Sequence, residues 1–404
     1  METKTCRSCG SDLLNSILDL GEQPWCNELL DMDDSEPVTV YPLHLVACSN
    51  CELLQLNYTV PKEVMFKTHG YLSGMTKTLR DHFFDIAKEN VHTFGVKDRD
   101  LVVDIGGNDG TQLLQYQKLG IENTVNIESA VNIAQISTDN GIKTINGFCN
   151  EQLIRGSFEK ESAKIINAAG VFFHLEELHS VIEGIRYLMA KDGVFTVQCM
   201  YAAELVKNES FDMIYHEHLC YYTLNSLTNL LKPYGLNVFD AYHSPIHSGS
   251  LIVKICKDDF YKKTMRYERT KEEDSKYDLA SFRRFADKMR HKQGDLRKLL
   301  EDLKSKGNKI YAYGAPAKGN TLLNYEGIDL SLVDKAVEIN ELKIGNKLPM
   351  SDIPIEKETV RDYPDYYLLL SHNFEEEILK KNQLLLDEGV KFIIPFPKVK
   401  VVGK

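Results

Sequence analysis

Strand-like apolar runs separated by helix-length stretches recur along most of this 404-residue chain. That rhythm confines its larger part to α/β structure built on parallel sheet. The first series begins at Asp100–Ile105 (DLVVDI), meets Gly-Gly-Asn-Asp-Gly at once, and continues through 124–128 (TVNIE), 164–172 (KIINAAGVF) and 193–200 (GVFTVQCM). A second starts at 309–320 (KIYAYGAPAKGN) and runs through 332–340, 365–370 (DYYLLL) and 391–396 (KFIIPF). The expected fold class is therefore α/β with two Rossmann-like units, each a doubly wound parallel sheet. Lys77 to Asn90 is expected to be helical, with Leu79, Phe83 and Ile86 on one face. Residues 257–307 are dense in charge, and Phe282, Phe285, Met289, Leu296, Leu299 and Leu303 are spaced for an amphipathic helix, or two, linking the units. Residues 1–65, rich in Pro, Asn and Cys, read as a small irregular module. The expected division is 1–65, 66–256 and 257–404.

Charge and cysteine usage narrow the function classes. A formal charge of -11 opposes nucleic-acid binding, which needs a basic stripe to displace counterions. No run of 18 apolar residues is present, so no membrane partner is expected, and the N-terminus has no apolar leader segment. Four of the nine cysteines form two C-x-x-C pairs and five stand alone, the usage of a reducing, cytoplasmic compartment. The two pairs, Cys6/Cys9 and Cys48/Cys51, can each bring two thiolates from one tight turn to a tetrahedral zinc shell. Four protein ligands close that shell, so the zinc is expected to be structural. The loop containing QPWCNELL is expected to bulge from this module.

The segment VVDIGGNDGT (102–111) reads as a strand, a glycine turn and a helix start. Gly106 and Gly110 permit the turn, whose helix N-terminal amides face a ligand. The dinucleotide fingerprint G-x-G-x-x-G is missing, and Asn108 and Asp109 protrude. S-adenosylmethionine (SAM) carries an ammonium and a sulfonium, which suit carboxylates such as Asp104. Glu128, at the next strand end, is placed for both ribose hydroxyls. Asn167 is expected at a third strand end facing the same cleft. An NAD site is the competing reading of the turn taken alone.

The stretch FDMIYHEHLCYYT (211–223) crowds Tyr215, His216, Glu217, His218, Tyr221 and Tyr222 together. It lacks the H-E-x-x-H spacing of a zinc protease helix, and a histidine base tuned by Glu and Tyr neighbours fits it better. With CRSC…CSNC, YPLHLVACSNCELLQL, YLSGMTKTLRDHF, DIGGNDGT, HSGSLIVKI, YAYGAPAKGNTLLNYEGI and DYYLLLSHNF, it makes the chain resemble, over essentially its full length, the sugar C-methyltransferases of deoxysugar biosynthesis. The resemblance implies a zinc-binding N-terminal module, a SAM-binding Rossmann domain and a C-terminal Rossmann-like domain that helps hold a sugar nucleotide. It implies methylation at C-3 of a nucleotide-linked 4-keto sugar, with His218 as base and Tyr215 and Glu217 lining the sugar site. Tyr71 and His174 face the reacting sugar by the same resemblance. Gly107 stands where the family usually has Ser, a change expected to be neutral. Ile252 replaces Arg and Glu338 replaces Asp, which alters contacts to the sugar nucleotide. Lys318 and Asn320, in the GAPAKGN turn, are expected to touch the substrate's diphosphate or hydroxyls, a tight strand–helix turn being the plain alternative. A sugar O-methyltransferase and an NAD-dependent sugar oxidoreductase are the rival functions; the latter would want a Tyr-x-x-x-Lys pair near the cleft, and none is expected there. Oligomeric state is left open by the sequence.

Overall fold

The period-two pattern of Leu43, Leu45 and Ala47, all buried, turns the N-terminal residues into sheet. In a computed structural model describing residues 1–67, 70–246, 249–359 and 362–403, four strands appear here: β1 (Leu14–Pro24), β2 (Leu30–Asp31), β3 (Val40–Cys48) and β4 (Leu54–Leu56). Strands β1, β3 and β4 form an antiparallel meander. The module is thus regular where an irregular one was expected, because inward-facing apolar residues outweigh its Pro and Cys content.

Five parallel strands follow: β5 (Leu101–Ile105), β6 (Thr124–Glu128), β7 (Lys143–Asn146), β8 (Ala163–Ala169) and β9 (Met189–Met200). The chain then crosses back, and β10 (Cys220–Tyr221) pairs with β4, adding a fourth strand to the N-terminal sheet. A hairpin of β11 (Leu236–Ser244) and β12 (Ser250–Lys257) completes the central sheet in the order β11-β12-β9-β8-β5-β6-β7. Strand β12 runs antiparallel to β9 and β11, so the sheet is mixed where a parallel one was expected. The connection between β11 and β12 is too short for a crossover, which only antiparallel neighbours tolerate. His247 and Ser248, which open the HSGSLIVKI stretch, lie outside the described residues. Order reverses between β5 and β8, and in such sheets ligands bind beyond the carboxyl ends of strands at the switch point.

The charged stretch forms three helices, Met265–Asp274, Leu279–Lys292 and Asp295–Ser305, where one or two were expected. The Asp278 side chain accepts from the Ser281 amide and starts the second helix, and Gly294, at φ +85°, separates it from the third. Their faces bury Phe282, Phe285, Met289, Leu296, Leu300 and Leu303. The last sheet contains β13 (Ile310–Tyr313) and β14 (Lys335–Glu338); β15 (Asn346–Lys347) leaves it to pair with β2; β16 (Ile355–Lys357), β17 (Tyr366–Leu369), β18 (Lys391–Ile394) and β19 (Lys400–Val402) complete it. Its order is β16-β14-β13-β17-β18-β19, parallel except at β19. One apolar cluster runs through all three sheets, from Leu45 through Ile182 and Phe285 to Leu368. Among the described residues no helix is long and apolar enough to cross a membrane.

Candidate active site

The glycine turn stands beyond the carboxyl end of β5. Gly106 and Gly110 have φ of +62° and +79°, and a Cβ on Gly106 would lie 2.6 Å from the Val171 side chain. A Cβ on Gly107 would lie 2.5 Å from Asn126 Oδ1 and 2.8 Å from the Asp104 carboxyl. Serine at 107 is therefore not the neutral exchange expected, because the Asp104 and Asn126 side chains already fill that space. Asp104 is buried, and its Oδ1 has no hydrogen-bond partner among the described residues. Burial, and then the Glu128 carboxylate, push its pKa up to about 8. Glu128 accepts the Asn108 amide on Oε2 at 3.0 Å and the Ala130 amide on Oε1 at 2.8 Å. Ser129 Oγ also donates to Oε1, at 3.4 Å, so the carboxylate is held at the end of β6 by the turn on one side and the following helix start on the other.

Asn108 and Asp109 do something sequence alone did not indicate. Asn108 Oδ1 accepts the Ser73 amide at 2.9 Å, its Nδ2 donates to the Tyr71 carbonyl at 3.1 Å, and Asp109 Oδ2 accepts the Gly74 amide at 2.8 Å. They strap the segment carrying Tyr71 onto the glycine turn. Tyr71 is 48% exposed, and desolvation, followed by the Asp109 carboxylate, raises its phenol to about 12. Asn167 does not stand at a strand end facing the cleft. It lies two residues inside β8, fully buried, with Oδ1 accepting from the Tyr116 hydroxyl at 3.2 Å. Asn90 continues that chain to Tyr116 and Thr196, so Asn167 is held beneath the helices Lys77–Phe94 and Thr111–Lys118.

The 211–223 segment is a turn and a short strand threaded between the N-terminal and central sheets. The Phe173 carbonyl accepts the Leu219 and Cys220 amides, and β10 pairs with β4. The His218 ring lies 3.8 Å from the Tyr215 ring centre, 4.8 Å from Phe173 and 5.2 Å from His174. Its Nδ1 donates to the Met213 carbonyl at 2.8 Å, which fixes the neutral tautomer with the lone pair on Nε2. His174 Nδ1 likewise donates to the Glu217 carbonyl. His216 differs: Nε2 donates to the Tyr41 carbonyl at 3.2 Å, Nδ1 is buried with no hydrogen-bond partner among the described residues, and burial lowers its pKa to about 4. Burial raises the Tyr215 phenol well above its ordinary value.

Five further residues join this neighbourhood without having been picked from the sequence. Trp25 Nε1 and Asn27 Nδ2 donate to Glu217 Oε1 at 2.7 and 2.6 Å. The QPWCNELL loop thus reaches across to the 211–223 segment, and the chain's single tryptophan in a cysteine-rich loop was the one available signal. Lys343 donates to the Ala315 carbonyl at 2.7 Å, and its pKa is lowered by burial against the opposing fields of Glu338, Cys26 and Glu217. Asp212, fully buried beside Met213, meets His372 Nε2 at 2.7 Å, and His372 Nε2 meets Lys318 Nζ at 3.0 Å. Lys318 therefore faces Asp212 and His372, and burial lowers its amine to about 8. Asn320 is buried, with Oδ1 accepting from Asn324. Glu338 Oε2 caps the Ala315 amide at 2.9 Å, while Ile252 is buried in β12.

Three family models match consecutive parts of the chain: a zinc binding domain at residues 6–66, a methyltransferase domain at 79–241 and the C-methyltransferase C-terminal domain at 245–397. The C-methyltransferase NovU of Streptomyces niveus is 32% identical over 406 residues, covering 98% of this chain and 96% of that protein. The chain belongs to the C-methyltransferase family. Solved structures that it resembles include magnesium protoporphyrin IX methyltransferase from Synechocystis PCC 6803 with bound SAM (10% identity, 44% of this chain and 79% of that chain, TM-score 0.34). A SAM-dependent methyltransferase from Aquifex aeolicus is another (15% identity, 44% and 97%, TM-score 0.33).

This C-methyltransferase uses SAM and holds zinc. For zinc, the Cys6, Cys9, Cys48 and Cys51 sulfurs all lie within 4.8 Å of one another, with Cys6–Cys51 at 3.4 Å and Cys9–Cys48 at 3.6 Å. Tetrahedral thiolates at Zn–S of about 2.3 Å stand about 3.8 Å apart, so the residues fit the metal. Asn50 supports them, its amide donating to Cys48 Sγ and its side chain to Cys9 Sγ. For SAM, the Asp104 oxygen that lacks a hydrogen-bond partner among the described residues belongs to a buried carboxyl group beside Glu128, and a cation bound there would favour its ionised form.

Asp104 carries a pH prediction. Between the ordinary Asp range and about pH 8, the unfolded chain releases this proton and the folded apo-protein keeps it, so apo stability falls as pH rises through that window. Asp104→Asn is expected to melt above wild type at pH 8.5, with the gap closing toward pH 4. Wild-type SAM affinity is expected to rise with pH until Asp104 ionises. In Asp104→Asn it should be roughly ten- to a hundred-fold weaker, the worth of a charge-assisted hydrogen bond, and flat with pH. Calorimetric titration across pH 6–9 checks this, and equal slopes in both proteins would refute the role.

Proposed function

We propose that this enzyme transfers the SAM methyl group to C-3 of a nucleotide-linked 4-keto sugar, with His218 as the base. The observation that carries the reading is the Nδ1 bond of His218 to the Met213 carbonyl, which keeps a buried imidazole neutral-competent with its basic lone pair on Nε2. A 4-keto group acidifies the C-3 hydrogen, and His218 removes that proton to leave an enolate. Tyr71 and Tyr215 keep their protons at working pH and supply the donor for the developing enolate oxygen. His174 donates from Nδ1 to the Glu217 carbonyl, so in this reading it packs and orients the site. Glu217 takes a sugar hydroxyl.

Asp104 and Glu128 hold the cofactor's ammonium and ribose, against the Gly106–Gly110 turn with Asn108 and Asp109. When bound, SAM supplies the electrophilic methyl group. Lys318 and Asn320, at the start of the helix Ala317–Glu326, are assigned in this reading to the nucleotide side of the substrate. The working division is a zinc module over 1–65, a SAM unit over 66–256 and a sugar-nucleotide unit over 257–404.

The test is mass spectrometry of reactions containing SAM and a panel of dTDP-, CDP- and GDP-linked 4-keto sugars. A product heavier by one methyl group is expected, and without SAM the enzyme should exchange the C-3 hydrogen with deuterated solvent. Methylation without that exchange would point to an oxygen acceptor instead.

A further inference from the structure

Glu217 is buried, yet the groups that meet its Oε1 come from the zinc module, about 190 residues away in sequence. Trp25 Nε1 and Asn27 Nδ2 both donate to that one oxygen, at 2.7 and 2.6 Å. They sit in a tight turn directly after β1, where the Glu28 amide bonds the Trp25 carbonyl and the Leu29 amide bonds the Asn27 carbonyl, each at 3.0 Å. The far side of the same segment is tied to the C-terminal part of the chain: β2 pairs with β15, and Lys347 Nζ donates to the Asp34 carbonyl at 2.8 Å. The main-chain oxygen of Glu217 meanwhile receives His174 Nδ1. A shift of the 25–27 turn therefore moves the Glu217 carboxylate, and through its backbone the His174 ring. A buried carboxylate is costly to keep for stability alone, since apolar replacements serve packing as well or better.

We propose that Trp25 and Asn27 are positioning residues for the methyl acceptor site, fixing Glu217 so that Oε2 is presented to a substrate hydroxyl. The proposal rests on the reading of Glu217 as a sugar-site residue. It gives the N-terminal module a part in the reaction beyond carrying zinc.

The test uses the full-length, zinc-loaded enzyme with Trp25→Phe, which keeps ring bulk and removes the N–H, Asn27→Ala, the double variant, and Glu217→Gln. The probe is the nucleotide-linked 4-keto sugar of the panel above that wild type turns over fastest, and kcat and KM are measured separately. The double variant should lose roughly ten- to a hundred-fold in kcat/KM, as expected for two charge-assisted hydrogen bonds, with zinc content and SAM affinity unchanged. Adding both substitutions to Glu217→Gln should cause little further loss, because residues acting through one partner are non-additive. Trp25 is the only tryptophan, so its emission reports the contact without turnover. Glu217→Gln should change that emission, and the same sugar nucleotide at saturation should change it in wild type but not in Glu217→Gln. Near-wild-type kcat/KM in the double variant alongside an impaired Glu217→Gln would overturn the positioning role alone. Wild-type kcat/KM in Glu217→Gln would overturn both that role and the sugar-site reading. A further loss in the triple variant equal to that of the double would show independent structural damage and likewise overturn the proposal.

Discussion

Replacing His218 with asparagine is expected to lower turnover by roughly 10²–10⁴-fold, the usual contribution of a positioned general base. Asparagine keeps a similar size and a donor for the Met213 carbonyl, which now holds His218 Nδ1 at 2.8 Å, but it takes no proton at neutral pH. SAM affinity should stay within two-fold, because Asp104, Glu128 and the glycine turn lie on other elements. Solvent exchange of the C-3 hydrogen should vanish together with turnover. His216→Asn is the control. That ring is neutral, donates to Tyr41 and has its pKa lowered to about 4 by burial, so its loss should affect stability more than rate. Full turnover in His218→Asn would pass the base to another group and leave the family assignment untouched.

Replacing Cys48 with serine is expected to release the metal and unfold the N-terminal module, to which a structural zinc contributes on the order of 10 kcal/mol. The loss should reach catalysis. Strand β4 holds β10 directly after His218, and the 25–27 turn holds Glu217, so turnover should disappear even in molecules that still bind SAM. The proposed SAM site lies on the central sheet and should persist. Metal analysis, calorimetric SAM titration and a turnover assay on one preparation separate these outcomes. One zinc per chain in the Cys48→Ser protein would contradict the four-thiolate shell, and normal turnover without zinc would contradict the coupling.

The sequence by itself determined what depends on near neighbours along the chain. The two C-x-x-C pairs specified a metal shell because each pair already brings two sulfurs together, and only the meeting of the pairs was left to the fold. The run from Asp104 to Gly110 specified a strand, a left-handed turn and a helix start because φ and apolar periodicity are local properties. Tyr215, Glu217 and His218 announced themselves by crowding several titratable groups into one short stretch. Local patterns were less decisive where packing settled the outcome. The antiparallel β12 and the three separate helices depended on a short connection, on an Asp278 cap and on Gly294. Asn167 looked like a cleft residue because strand ends carry ligands, and only the stacked helices showed it to be enclosed. The bonds of Trp25 and Asn27 to Glu217, and of His372 to Asp212 and Lys318, link residues far apart in sequence. No spacing rule encodes such contacts, because they exist only once three sheets bury their apolar faces against one another and bring those side chains together.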